Sequence, residues 1–398
     1  MKKKVFIISQ YLINDPPTYN TLLYLSKIFD VTYYEQSLNK SLPEQLKDIS
    51  YKRVYGFNFL KLHFVKRIVA ITWLHYIINK DIRLHKPYAV IAIMYEPISI
   101  IKVLKNTIYI ASILDIPEIK YSGKIDRIIF KKAVKQLKFW DIVWASDPLK
   151  GKWIKQKAAL DKEIQISFNC PVIDYFKNME KPSVRAEIIK TLIAKGLIVT
   201  NESIILVRAG AVGIYGGIEE TILAIKSLPS QFVFVLMGRP NADYKQFLID
   251  FIKTHQLNNK VILFDKPNDI EWKKILLASD IGHLIHLRPD DNPKEAASYD
   301  LNSSLSNNRL AQYMAAGLPI ISYNDPRMDL IYNEIDCFEI VNTETIRLDI
   351  QRILYDLSIS HTRRLEMGEN ARKAFECTYN WESQFNKVYK LIDDINSN

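Results

Sequence analysis

A polar run leads into a predicted helix at residues 308–316 and could bind an anion. The helix ends at Gly317, and Pro319 opens the strand that follows. Serine and asparagine side chains cap helices well, and the free N–H groups of a first helical turn attract phosphate. One turn further along, the Gln312 amide could reach a ribose hydroxyl, although an ordinary capped helix has the same pattern. The candidate ligands here are Ser304, Ser306, Asn307, Asn308, Arg309 and Gln312.

A glycine-rich turn between a predicted strand at 204–208 and a predicted helix at 218–227 is a second candidate. Gly210, Gly213 and Gly216 would let the backbone approach a phosphate closely. The turn lacks the Gly-Lys-Ser/Thr ending of a P-loop, and its spacing differs from a dinucleotide fingerprint. It lies at the carboxyl end of a strand, where open α/β sheets bind ligands. A tight turn without a ligand fits the pattern equally well.

Several other side chains directly follow predicted strands and would therefore also lie at the carboxyl ends of the strands. Arg239 and Arg288 could form forked hydrogen bonds to phosphate oxygens, with Arg208 as a further basic candidate. His286 is a candidate for binding a ligand at the edge of the second predicted sheet. Asp115 follows a strand at 108–114 and is a candidate for binding a ligand at the edge of the first. Each of these side chains could instead be an ordinary surface group.

Strands and helices alternate along both halves of the chain. Apolar runs predict strands at 5–9, 31–34, 88–94, 108–114, 142–146, 204–208, 232–237, 261–264, 281–287 and 319–322. Helical spacing predicts helices at 18–29, 124–139, 218–227, 269–278 and 308–316. Runs that are apolar on both faces indicate parallel sheets covered by helices. The 398 residues therefore predict two doubly wound α/β domains, with a linker near 171–182.

Composition excludes several classes of protein. Hydrophobic residues make up 48% of the chain and charged residues 25%, as in an ordinary globular protein. The three cysteines have no CxxC spacing, the histidines have no metal-ligand spacing, and no Gly-x-Ser-x-Gly element occurs. Disulfide scaffolds, zinc sites and hydrolases of that type are therefore disfavoured. The amino terminus does not resemble a signal peptide, and no apolar run approaches 20 residues, so we expect a cytoplasmic protein without a transmembrane helix.

The net charge of +10 is concentrated in the first 180 residues, which hold 29 Lys and Arg against 16 Asp and Glu. Six of these basic residues recur at helical spacing: Lys120, Lys124, Arg127, Lys131, Lys135 and Lys138. Such a face suits an anionic membrane surface, although a solvated helix face is equally consistent with it. Nucleic acid is not expected as a partner, because no recognition motif accompanies the charge.

Taken together, these segments resemble GT-B glycosyltransferases of the family 4 type. Residues 308–319 resemble the family's K-L-x-E-Y-M-A-A-G-L-P segment, and residues 210–224 its G-R-L-x-x-x-K-G-hydrophobic element. Weaker matches are residues 108–118, 169–176, 234–239, 277–281 and 379–382. The chain departs from the family at several charged positions. Ser304 and Gln312 replace two carboxylates, Ala211 and Gly216 replace a basic pair, and Leu114 replaces a histidine, whereas Asp115 and Glu118 match.

The resemblance implies two Rossmann-like domains that face each other across a cleft. Residues 1–172 would bind the acceptor, residues 173–372 the nucleotide-sugar, and residues 373–398 would form a helix packed on the first domain. The donor would be a UDP- or GDP-sugar, and the acceptor a hydroxyl of a glycan or a lipid-linked intermediate in polysaccharide or glycoconjugate synthesis. Transfer would retain the anomeric configuration and use neither metal nor cofactor. Asp115 would be catalytic, and the protein could work peripherally on the inner face of the cytoplasmic membrane.

Two alternatives remain open at this stage. The missing charged residues could mark a noncatalytic GT-B subunit that binds glycan or nucleotide beside an active partner. A similar two-domain shape also occurs in nucleotide-sugar epimerases, which would change the reaction and remove the acceptor.

Overall fold

A computed structural model gives the fold of the chain over residues 2–9, 16–35, 46–53, 63–116, 123–265, 267–288, 308–325 and 328–397. The chain divides into two compact units. The first contains Met1–Pro171 together with Trp381–Asn398, and the second contains Val172–Asn380.

The first unit is built on a parallel sheet. Its strands are β1 (Lys4–Ser9), β2 (Asp30–Glu35), β3 (Ser50–Arg53), β4 (Ala89–Ile93), β5 (Ile108–Ile113), β6 (Ile142–Ala145) and β7 (Gln165–Ile166). They lie in the order β3-β2-β1-β4-β5-β6-β7. The connecting helices are α1 (Pro16–Ile28), α2 (His63–His85), α3 (Tyr95–Ile100), α4 (Lys124–Gln136) and α5 (Pro148–Ala158). β4 and β5 are buried along their whole length, as expected for central strands covered on both faces.

The second unit repeats this architecture. Its strands are β8 (Ile204–Gly210), β9 (Phe232–Gly238), β10 (Val261–Asp265), β11 (Ile281–His283), β12 (Ile320–Tyr323) and β13 (Phe338–Val341), in the order β10-β9-β8-β11-β12-β13. Its helices are α6 (Lys181–Ala194), α7 (Ile218–Lys226), α8 (Ala242–Thr254), α9 (Asp269–Ala278), α10 (Asn308–Ala315), α11 (Asp329–Glu334), α12 (Ile346–Ile359) and α13 (His361–Cys377).

The last described helix, α14 (Trp381–Ser397), belongs to the first unit although it follows the second in the chain. The ring of Trp381 lies 5.6 Å from the Trp144 ring of β6, and the backbone N–H of Trp381 donates to the carbonyl of Pro171. The sequence predicted one helical segment from residue 373. Residues 373–377 instead belong to α13, and a short break separates α13 from α14.

The predicted fold class is confirmed, because both sheets are parallel and doubly wound. The strand predicted at 281–287 was too long, since β11 ends at His283. The backbone N–H of Leu284 still donates to Ile321 of β12, but further along the backbone N–H of Leu287 donates to the carbonyl of Tyr215, outside the sheet, at 2.7 Å. Hydrophobic runs locate buried backbone but cannot tell a strand from a buried segment that bonds to a loop.

Among the described residues, no helix has both the length and the apolar character that crossing a bilayer requires.

Candidate functional site

The strand order of the second unit reverses direction between β8 and β11. From β8 the chain runs outward to β9 and β10, then returns past β8 to β11. In open parallel sheets, ligands bind outside the carboxyl ends of the strands at this point. The glycine-rich turn follows β8, and α10 begins beside it. Two of the elements that are predicted to bind the nucleotide-sugar therefore lie at the carboxyl edge of this sheet.

Two glycines let the ends of β8 and β9 come close together. Gly210 pairs with Gly238 in the parallel register, and a Cβ on Gly238 would overlap the carbonyl oxygen of Gly210. Gly210 has a φ of +104° and Gly217 a φ of +59°, backbone conformations that favour glycine. Gly213 faces open space, because a Cβ there would meet no atom within 4 Å. The turn is therefore compact at its base and open at Gly213.

Arg208 holds the turn in shape from inside the core. Its side chain is only 1% exposed. Its guanidinium donates to the carbonyls of Ala211 at 3.1 Å, Gly216 at 3.0 Å and Ile285 at 2.6 Å. The same side chain passes next to Gly216, where a Cβ would lie 2.8 Å from it. Arg208 thus stabilises the conformation of the turn, because its Nε and Nη1 donate hydrogen bonds to backbone carbonyls.

His283, at the end of β11, completes this buried network. Its Nδ1 lies 3.1 Å from Nη1 of Arg208, and its Nε2 lies 2.9 Å from the hydroxyl of Thr221. Because guanidinium only donates, Nδ1 must accept and the ring proton must be on Nε2. Burial, followed by the charges of Arg208 and Arg309, lowers the pKa of His283 well below its usual value. The imidazole is therefore neutral and structural.

Helix α10 is fixed to the sheet by Tyr313. The Tyr313 hydroxyl accepts from the N–H of Ala209 at 2.9 Å and lies 3.0 Å from the carbonyl of His283. This bonding brings the first turn of the helix against β8. The guanidinium of Arg309 lies beside Gly210, where a Cβ would be 3.1 Å from its Nε.

Two buried guanidinium groups therefore flank the base of the turn. Burial lowers the pKa of Arg309, and both burial and the charge of Arg309 lower the pKa of Arg208. Glu219, in the first turn of α7, acts on Arg208 in the opposite direction. Two like charges in a buried region favour the binding of an anion between or beside them.

Gln312 is held by an indole that the sequence did not single out. The Nε1–H of Trp272, in α9, donates to Oε1 of Gln312 at 3.1 Å. An indole N–H is only a donor, so the amide oxygen must face Trp272 and the amide nitrogen must point away. Gln312 is almost fully buried in a helix that begins at the candidate site.

The other residues that are predicted to bind the nucleotide-sugar differ in how far they are exposed. Asn308 opens α10, and its Oδ1 is buried without a hydrogen-bond partner among the described residues. His286 is half-buried, while Arg239 and Arg288 are exposed. Ser304, Ser306 and Asn307 lie outside the described residues.

In the first unit, Asp115 lies beyond the carboxyl end of β5 with its side chain 56% exposed. Its Oδ1 is 3.3 Å from the ammonium of Lys150, a residue that the sequence did not indicate. The predicted basic face is exposed at Lys124, Arg127, Lys131 and Lys135 on α4 and at Lys138 in the 3₁₀ turn that follows. Lys120 lies outside the described residues.

Similarity to solved structures extends over nearly the whole chain. HepE from Anabaena, in complex with UDP and glucose, aligns with a TM-score of 0.70 at 14% identity, over 98% of this chain and 100% of its own. A glycosyltransferase from Rickettsia africae aligns with a TM-score of 0.68 at 16% identity, over 100% of this chain and 99% of its own. The chain has the GT-B fold. No protein-family model and no curated protein sequence matches it.

The GT-B fold alone does not decide the reaction. A UDP-N-acetylglucosamine 2-epimerase also aligns, with a TM-score of 0.58 at 11% identity, over 100% of this chain and 98% of its own. Enzymes with different chemistry therefore share this architecture, and the function must be argued from the site.

Proposed function

We propose that the chain transfers a sugar from a nucleoside diphosphate sugar to a hydroxyl group of a glycan or glycolipid. The observation that carries this proposal is the pair of buried guanidinium groups at the glycine-rich turn, with Arg208 shaping the turn and Arg309 lying against Gly210. Negative charge grows on the diphosphate as the glycosidic bond breaks, and preorganised positive charge stabilises it. We therefore assign the turn and the start of α10 to the donor diphosphate.

The reaction breaks the bond between the sugar C1 and the diphosphate oxygen. The acceptor oxygen forms a new bond to the same carbon, and the hydroxyl proton leaves with the nucleoside diphosphate. Gln312 is assigned to the ribose of the donor, and Asp115 to the acceptor hydroxyl. The proposal includes retention of configuration and transfer without a bound metal, as in the family that the sequence resembles. UDP-glucose is the first donor to test, because HepE has been crystallised with it.

The first experiment is a thermal-shift panel of UDP-, GDP-, ADP-, dTDP- and CMP-sugars, followed by product analysis with the stabilising donor. A ligand at 100 times its dissociation constant stabilises the folded state by about 2.7 kcal/mol. Nucleotide release that requires an acceptor would support transfer. A new nucleotide-sugar formed without acceptor would indicate epimerisation and contradict transfer. Saturable binding without any product would indicate a noncatalytic subunit.

Gln312→Ala is expected to weaken donor binding about fivefold, because a buried hydrogen bond to the ligand contributes roughly 1 kcal/mol. Trp272→Phe is expected to weaken it about threefold, since the ring remains but the amide loses the donor that orients it. Titration calorimetry with the identified donor measures both effects. The control is Gln246→Ala, an exposed glutamine on α8, which should leave affinity unchanged. Unchanged affinity in Gln312→Ala would remove this residue from the site.

We further propose that the protein acts at the inner face of the cytoplasmic membrane and docks through the face of α4. Besides its lysines, this face exposes Ile128, and Phe139 is exposed just beyond it. Each basic residue near an anionic lipid surface contributes about 1 kcal/mol, and apolar side chains add contact with the interface. A lipid-linked acceptor would then lie within reach of the first unit.

The double variant Lys131→Glu with Lys135→Glu is expected to reduce binding to phosphatidylglycerol-containing vesicles at least 30-fold in sedimentation assays. A matched control is Lys190→Glu with Lys226→Glu, two exposed lysines of the second unit with the same change in net charge. Equal losses in both variants would indicate a general charge effect and would contradict docking through α4.

A further inference from the structure

A lysine is buried in the first turn of α5. The side chain of Lys150 is 1% exposed. Burying an ammonium group is costly, and positive charge is also disfavoured at the N-terminus of a helix. The neighbours of Lys150 must therefore compensate for its charge, and their identity indicates what the residue does.

Those neighbours all belong to the segments that follow β5 and β6. The ammonium donates to the carbonyl of Leu114 at 2.6 Å, to the hydroxyl of Ser146 at 3.1 Å and to Oδ1 of Asp115 at 3.3 Å. It also lies 3.8 Å from Oδ2 of Asp147, whose side chain is fully buried. Asp147 caps α5 by accepting from the backbone N–H of Lys150 at 3.0 Å.

This bonding fixes the backbone directly before Asp115. The carbonyl of Leu114 accepts from both Lys150 and Ser146, the latter at 2.7 Å. The loop after β5 is thereby bonded to the loop after β6 at the carboxyl edge of the sheet. Asp147 is the buried counter-ion in this cluster, whereas Asp115 is the partly exposed carboxylate that Lys150 contacts.

We propose that Lys150 is a positioning residue for acceptor binding: it holds the Asp115 carboxylate in one orientation so that the carboxylate can accept a hydrogen bond from the attacking hydroxyl. This inference rests on the proposed transfer reaction, in which Asp115 binds the acceptor. Lys150 itself touches neither substrate. Its loss should therefore change the kinetics of the acceptor while leaving donor affinity intact.

The kinetic test compares Lys150→Met, which removes the ammonium, with Lys150→Arg, which keeps a positive charge. We expect Lys150→Met to lower kcat/KM for the acceptor at least 30-fold with donor affinity within twofold of wild type, and Lys150→Arg to restore part of that loss. The control is Lys152→Met, an exposed lysine of the same helix, which should be unaffected. Acceptor kinetics within twofold of wild type in folded Lys150→Met would overturn the proposal.

Lys150→Met leaves Asp147 buried without its counter-ion and could fail to fold. Lys150→Met combined with Asp147→Asn removes both charges, and asparagine still caps a helix. This double variant should fold and show the same selective loss with the acceptor. Normal acceptor kinetics in the double variant would also overturn the proposal.

A third measurement needs no enzymatic activity. In a double-mutant cycle of Lys150→Met and Asp115→Asn, the unfolding equilibrium constants should depart at least fivefold from additivity, because the two side chains are in contact. Additivity within twofold would refute the pairing. If the wild-type protein transfers no sugar, the proposed function fails by that result alone, while the cycle still tests whether Lys150 holds Asp115.

Discussion

Arg208→Met is expected to lower the free energy of unfolding by about 4 kcal/mol. Methionine provides no donor for the carbonyls of Ala211, Gly216 and Ile285, and removing one partner of a buried polar network leaves the others unsatisfied. For a unit of this size, the loss lowers the midpoint of thermal unfolding by roughly 8 to 16 °C. Urea unfolding followed by circular dichroism measures the change. Donor binding should be lost as well, because the turn is no longer held.

The matched control is Arg239→Met, in which the arginine is exposed and follows β9. Surface substitutions of this kind change stability by about 0.5 kcal/mol or less. Equal unfolding midpoints for Arg208→Met and wild type would show that the carbonyls find other donors, and that the turn does not depend on this guanidinium.

Asp115→Asn is expected to reduce kcat/KM for the acceptor at least 100-fold, while donor affinity stays within twofold. Asparagine has the same shape but carries no charge, so it is a poorer acceptor for a reacting hydroxyl, and a positioned carboxylate typically contributes 10²- to 10⁴-fold. Initial rates of nucleotide release at varied acceptor concentration give the kinetic effect, and calorimetry gives the donor affinity.

Asp161→Asn serves as the comparison for this variant, because Asp161 is an exposed carboxylate of the same unit. A loss of less than threefold in Asp115→Asn would exclude a direct role for this carboxylate in transfer. A parallel loss of donor affinity would instead indicate a wider change in structure.

The sequence predicted the fold well where hydrophobic runs are long. Residues 89–93 of β4 are all apolar and fully buried, which is the pattern expected for a central strand covered on both faces. β3 reads Ser-Tyr-Lys-Arg, and β7 has two residues, so neither contains a run that could be recognised. Both are edge strands of the sheet, where one partner strand and partial exposure weaken the apolar pattern.

The sequence indicates which residues belong to the candidate site, but it does not indicate which side chains contact each other there. Glycines after β8 and polar residues before α10 are local signals, and the structure brings Gly210 and Arg309 together. The pairing of Trp272 with Gln312 spans 40 positions, and that of Lys150 with Asp115 spans 35. No local pattern encodes such contacts. The sequence predicts a surface or phosphate-binding role for Arg208, because periodicity treats arginine as polar even where carbonyls surround it.

The placement of α14 sets an order for the maturation of the protein. During synthesis the second unit is complete once residue 380 has emerged, whereas the first unit still lacks Trp381 and the rest of this helix. Until then the Trp144 surface of β6 has no cover from α14. The first unit is therefore completed last, although the ribosome makes most of it first, and in a nascent chain the turn after β8 and helix α10 can fold before the segment around Asp115 is part of a complete unit.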